Sequence, residues 1–140
     1  MFTLSDLSVF TGLTDRTLRN YLKTGLLRGD KSDGTWRFTQ EQAVEFMQHP
    51  TIKPIIKTKH HAPLFDFVAD DKKNENALCI VLDLAGADLM AKARFLCEAV
   101  NVRPGVRFSF SKEQNRARII LIGKEDAVAR ILFAYYAEKP

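Results

Sequence analysis

Apolar positions in the first fifty residues recur at three- and four-residue spacing, the signature of short amphipathic helices. Leu4, Leu7 and Phe10 share one face of a helix expected over Leu4–Phe10. Leu18 and Leu22 point inward from a second, Asp15–Lys23. Ala43, Val44 and Met47 do so from a third, Gln40–Gln48. A threonine precedes each start: Thr3, Thr14 and Thr39. Its hydroxyl can accept from the first free backbone N–H groups, and Thr39 with Gln42 forms a full capping box. Gly12 and Gly25 end the first two helices, because glycine accepts the left-handed conformation of a helix exit. Pro50 closes the third. Between the second and third helices, Gly29–Gly34 is dense in turn residues. The flanking Leu26-Leu27-Arg28 and Thr35-Trp36-Arg37-Phe38 are expected to pair as a short hairpin.

From residue 77 the pattern changes. Ala77–Leu84 is almost continuously apolar, as a strand buried on both faces would be. Ala87–Asn101 carries Leu89, Ala93, Leu96 and Val100 on one helical seam. Val106, Phe108 and Phe110 alternate with Arg107, Ser109 and Ser111, a half-buried strand. Glu113-Gln114-Asn115 turns the chain, and Arg118–Ile122 returns. Gly123 is expected to open a last helix that carries Val128, Ile131, Leu132, Tyr135 and Tyr136. Strand–helix–strand–strand–helix is half of a ferredoxin-like unit. Its first strand would leave a long apolar edge that needs a cover.

Residues 50–76 separate the two patterns and read as a linker. Prolines fall at 50, 54 and 63, beside Lys57-Thr58-Lys59-His60-His61 and Asp70-Asp71-Lys72-Lys73. Leu64–Val68 interrupts this stretch as a strand or docking segment. The expected organisation is residues 1–49, a linker over 50–76, and an α+β domain over 77–140.

The chain has 140 residues, 46% of them apolar, which suits a packed core rather than disorder. Its formal charge is +4. Residues 1–60 hold nine Lys/Arg against six Asp/Glu, while residues 61–140 hold twelve against eleven. The basic excess therefore sits mainly in the first part, where it favours a polyanionic partner. Cys79 and Cys97 lie in apolar runs and read as reduced core thiols. No apolar run reaches the roughly 18 residues of a membrane span. The N-terminus lacks the basic start and apolar core of a signal peptide. A cytoplasmic protein without a membrane partner is the expectation.

Chemistry concentrates in Gly12–Phe38. A tight turn leads into a helix exposing Arg16, Arg19, Asn20 and Lys23, and an aromatic–arginine hairpin follows. These are the parts of a helix-turn-helix with a wing, which places a helix in the DNA major groove and grips the adjacent backbone. Arginine and lysine neutralise phosphates or reach guanine, asparagine can pair with adenine, and the Tyr21 hydroxyl can donate to a phosphate.

Residues 2–48 resemble the winged helix-turn-helix domain of the MerR family of bacterial regulators. Thr17–Tyr21, Thr-Leu-Arg-Asn-Tyr, is similar to that family's Thr-Leu-Arg-Tyr-Tyr. Gly25-Leu26-Leu27 matches its Gly-Leu-Leu. Gly34–Thr39 resembles its wing end and that of phage excisionase-type domains. The resemblance implies that Thr14, Arg16 and Thr17 face bases or nearby phosphates. It implies that Arg19 and Tyr21 hold phosphates and that Arg37 acts from the wing. Asn20 replaces the family's first tyrosine. Pro50, Pro54 and Pro63 fall where that family runs its long dimerisation helix. A dimer built through residues 64–139 is expected instead.

Trp36 packs against the second helix or stacks on the sugar-phosphate edge; Arg37 is the stronger DNA ligand. No catalytic constellation, phosphate loop or cofactor motif emerges. Asp83 and Asp88 read as turn and cap residues, and no metal-ligand spacing surrounds His49, His60 and His61. The leading expectation is a dimeric, sequence-specific regulator of double-stranded DNA, with a small-molecule effector left open. An excisionase-type accessory factor and a protein- or ligand-binding module that has lost DNA binding are the alternatives.

Overall fold

The computed structural model describes residues 1–138. Its architecture is α+β, with two three-stranded antiparallel sheets among the described residues. Strand β1 (Phe2–Thr3) runs into helix α1 (Leu4–Thr11), followed by α2 (Asp15–Thr24). Strands β2 (Asp30–Ser32) and β3 (Thr35–Phe38) lead to α3 (Gln40–Gln48). Both outer helices carry capping boxes. In α1 the Asp6 N–H donates to the Thr3 hydroxyl at 3.1 Å, and the Thr3 N–H donates to the Asp6 carboxylate at 2.9 Å. Gly12 and Gly25 close α1 and α2 at φ of 75° and 84°, the left-handed region where glycine is favoured.

The hairpin differs from expectation. Thr35–Phe38 pairs with Asp30–Ser32, not with Leu26–Arg28, and β1 adds on the other side to give the order β1-β3-β2. The cause is the turn. Asp33 and Gly34 both have positive φ, so two residues suffice to reverse the chain. Leu27 is buried in the core instead. At Gly29 an added Cβ would lie 2.5 Å from the buried Phe38 ring, so only glycine passes there.

The second sheet holds β4 (Ala77–Ala85), β5 (Val106–Glu113) and β6 (Arg116–Lys124) in the order β4-β6-β5. Helix α5 (Leu89–Asn101) joins β4 to β5, and α6 (Glu125–Glu138) follows β6. Leu89, Ala93, Leu96 and Val100 are buried along one side of α5. Two expectations are corrected here. Gly123 lies inside β6 rather than opening α6, and a Cβ there would sit 2.6 Å from the Gly105 carbonyl oxygen. Strand β4 is not buried on both faces. It is an edge strand, paired only with β6, and Val81 is 45% exposed.

The largest correction concerns the expected linker. Residues Lys53–Ala69 form α4, and Leu64–Val68 is its last part rather than a strand. Pro54 sits in the first turn, where its missing N–H has no intrahelical acceptor to lose. Pro63 stands in the interior, where proline costs about 3 kcal/mol. Burial offsets that cost: Ile52, Ile56, His60 and Pro63 are buried along one side of the segment. Helix α4 packs on β5 and β6, where Ser109 and Ile120 are buried on the sheet face opposite Phe108, Phe110, Ile119 and Leu121. The chain thus has a helix after α3 despite its prolines, and it is spent on the protein's own sheet.

The two halves share one core. The Phe10 ring of α1 lies 5.4 Å from Phe108 and 4.9 Å from Phe110, edge to face. Asn101 Nδ2 of α5 donates to the Asp6 carboxylate at 3.2 Å. Gln48 Nε2 of α3 donates to the Lys112 carbonyl at 3.0 Å. No helix among the described residues is long and apolar enough to cross a membrane.

Candidate nucleic-acid interface

Helix α2 buries little of itself. Leu18 is fully buried, and Tyr21 and Leu22 are half-buried. Arg16, Arg19, Asn20 and Lys23 are exposed. Their spacing of three, four and seven residues from Arg16 puts all four on one face, opposite Leu18. The structure therefore brings these four side chains together on a solvent-facing surface one helix wide.

The remaining expected residues divide into those that reach solvent and those that serve the fold. Thr14 caps α2. Its hydroxyl accepts the Thr17 N–H at 3.2 Å and donates to the Thr17 hydroxyl at 3.0 Å, so these two side chains are engaged with each other. The Tyr21 ring leans on Phe46 of α3 at 5.8 Å, and its carbonyl accepts the Leu27 N–H at 3.1 Å. Tyr21 therefore anchors α2 as well as bordering its exposed face. Trp36 is half-buried and stacks on Phe38 at 6.5 Å, with Lys31 Nζ 5.7 Å from the indole centroid. Arg37, one residue along the strand, faces the other way and is exposed. It stands between Thr3 and Asp30 in the strand register.

Five cations elsewhere in the molecule are held in ion pairs. Arg118 makes two hydrogen bonds to Asp83, at 2.7 and 2.9 Å, which hold the Asp83 carboxyl below the usual carboxylate range. Lys53 and Lys57 both reach Glu113, at 2.9 and 3.3 Å, and lower its carboxyl in the same way. Arg94 pairs with Glu98 and Lys124 with Glu75. Among the described residues no ion pair involves Arg16, Arg19, Lys23 or Arg37. The same holds for Arg28 and Lys31, which follow α2 and were not singled out in the sequence. Only their place beside the turn-rich stretch could have marked them.

The other candidate chemistry is dispersed. Asp83 is the partner of Arg118 rather than a turn residue. Asp88 is the N-cap of α5 by position, at φ 63°, without a side-chain cap bond. In the run 57–61, Lys57 is paired with Glu113, Lys59 lies along Gly12, and His60 is buried. Cys79 and Cys97 are free thiols, and burial raises the pKa of both. Comparison with family profiles, curated proteins and solved structures finds no match for this chain.

Proposed function

We propose that this chain is a cytoplasmic, bacterial-type transcriptional regulator that binds double-stranded DNA through a MerR-like winged helix-turn-helix. Helix α2 is the reading helix in this proposal, and the β2–β3 hairpin is the wing. One observation carries it: Arg16, Arg19, Asn20 and Lys23 share an exposed face, and the three cations make no ion pair among the described residues. Cations held ready without internal partners suit a polyanion. Asn20 adds a side chain able to discriminate adenine. Arg37 extends the surface onto the wing.

The reader works as a homodimer through residues 64–139. The free edge of β4 and the exposed Val81, Phe65, Val68, Phe133 and Tyr136 support this part of the proposal. A second copy is a fitting cover, because antiparallel pairing of β4 with itself is self-complementary. The one charge of β4, Asp83, is neutralised by Arg118. Two copies also supply the two half-sites from which a short helix gains affinity.

Selection of bound sequences from a random duplex pool, followed by affinity measurements between 50 and 200 mM salt, tests the reading. A shared palindromic site and a log–log salt slope near −3 or steeper are expected, one unit for roughly each phosphate neutralised. A flat salt response, or no enriched site, rejects it. Val81→Lys places a charge on the open edge and is expected to convert a dimer to monomers in sedimentation. A wild-type chain that sediments as a monomer at tens of micromolar removes the dimer.

A further inference from the structure

Two features of the second half point the same way, and the first is the free edge of β4. Leu78, Ile80, Leu82 and Leu84 share the sheet face of Ile119 and Leu121, which helices α5 and α6 cover. All four stay only half-buried, because β4 has no neighbour beyond it among the described residues. The strand is close to a palindrome. A two-fold axis normal to the sheet through Val81, the middle residue of nine, sets Leu78 against Leu84 of a second copy and Ile80 against its Leu82. The single charge of the strand meets no like charge. Asp83 falls opposite the Cys79 thiol, and Arg118 of its own chain holds it.

The second feature is α6. It rests on β6 and β4, whereas α5 rests mainly on β5, so α6 is the helix nearer the free edge. Val128, Ile131 and Tyr135 are buried towards the sheet. A right-handed crossover through α5 then turns the side that carries Ala129, Leu132 and Tyr136 towards the edge, with Phe133 above it. Phe133 is 79% exposed and Tyr136 60%. Helix α6 turns back over β6 and so runs in the direction of β4. The two elements start level, since the Glu125 N–H donates to the Asn76 carbonyl at 3.0 Å. Val81 lies about 13 Å along β4, and Phe133 about 12 Å along α6. The most exposed ring of α6 is therefore level with the middle of the strand.

We propose that a second copy docks on this edge and this helix together, an interface that rests on the homodimer proposed above. Strand β4 pairs with its copy about Val81, and α6 packs antiparallel on the α6 of the second copy. A strand spacing of about 4.8 Å puts α6 roughly 5 Å from the axis and roughly 10 Å from its copy, which is helix-packing distance. The small Ala129 permits that approach, and the rings of Phe133 and Tyr136 close over the seam. The strand edge, about 30 Å long and 10 Å deep, offers roughly 300 Å² per copy, and the two exposed rings offer about as much again. With the half-buried side chains of β4 this approaches the roughly 800 Å² per partner of a stable interface. Phe65 and Val68 belong to α4, on the other face of the sheet, and take no part.

Sedimentation equilibrium of the full chain tests the interface. The wild type is expected to dimerise. Phe133→Lys combined with Tyr136→Lys should weaken the dimer about a hundredfold or more. Phe65→Lys combined with Val68→Lys should leave it unchanged. All four side chains are exposed, so the helical circular dichroism of the three proteins should agree. Val81→Cys in a Cys79→Ser chain should form a covalent dimer on mild oxidation, as residues facing each other across the axis would. If the α6 pair loses its helical signal, that cross-link alone decides. A wild-type dimer that the α6 pair leaves intact, or that the α4 pair weakens as much, overturns this interface and leaves the dimer standing. Absence of the Val81→Cys cross-link in a dimeric chain does the same. A wild type that is monomeric at tens of micromolar removes the dimer and the interface together.

Discussion

The two basic surfaces of this molecule are made from the same residue types and are arranged in opposite ways. On α2, Arg16, Arg19 and Lys23 project into water, paired with no carboxylate among the described residues. Along α4 and the second sheet, Lys53, Lys57 and Arg118 are tied to Glu113 and Asp83. Exposed ion pairs add little to stability, so the pairing is not what makes the fold. Its effect is to fix side-chain positions on one surface, while the other leaves its cations exposed to solvent. A net charge of +4 conceals this division. What marks the α2 surface is that its unpaired cations are gathered on one helix face, not the number of basic residues in the chain.

The strongest effect expected on either side is at His60. The free imidazole takes a proton near pH 6.5, and burial lowers that value to about 4 in the folded chain. The unfolded state thus binds more protons across this window. Stability is full above it and falls as pH drops from 6.5 to 4, by about 3 kcal/mol in all. The groups that could modulate this are His61, Lys57 and Lys59 on α4, Asp83 on β4, Glu113 on β5, and Arg116 and Arg118 on β6. Urea unfolding of wild type and His60→Leu at pH 7 and pH 4 isolates the effect of His60 itself. If the two lose stability equally, His60 does not couple protonation to the fold.

The comparison of surfaces is sharpened next by Arg16→Ala combined with Arg19→Ala. Duplex affinity should fall about a hundredfold, and the salt slope should shrink by about two units, with the melting temperature unchanged. Loss of melting temperature would mean that α2 uses these side chains for its own stability. Arg37→Ala alone should weaken binding about fivefold, as removal of one wing phosphate contact would. The smallest effect belongs to Arg118→Ala. It breaks the bidentate pair with Asp83 and should leave both DNA affinity and melting temperature within experimental scatter. A DNA defect as large as that of Arg37→Ala would abolish the distinction between the two surfaces.

Much of this arrangement was legible before the structure. The seam Leu89, Ala93, Leu96, Val100 reads as a helix because all four positions are apolar and the period is unbroken. Helix α4 was hidden because its buried line runs Ile52, Ile56, His60, Pro63. Two of those four residues ordinarily signal a polar surface and a helix break. Strand β2 was hidden for the converse reason. Asp30, Lys31 and Ser32 are all exposed and polar, and the apolar Leu26-Leu27 drew the pairing to itself. The basic face of α2 was visible because helical spacing alone places it. That its cations lack partners was not, since pairing depends on carboxylates distant in the chain. The buried ring of His60 was invisible for the same reason: its surroundings come from four separate elements.

Phe10 gives the fold a history as well as a core. Modules that travel between genes bury their own apolar residues and meet their neighbours across a wettable surface. Here α1 keeps its largest side chain among Phe108 and Phe110, contributed nearly a hundred residues later. A recombination event that moved the first fifty residues alone would strand that ring in water and leave a hole in the recipient of the rest. The two halves are therefore expected to be inherited together, with a change of size at Phe10 matched by one at Phe108 or Phe110.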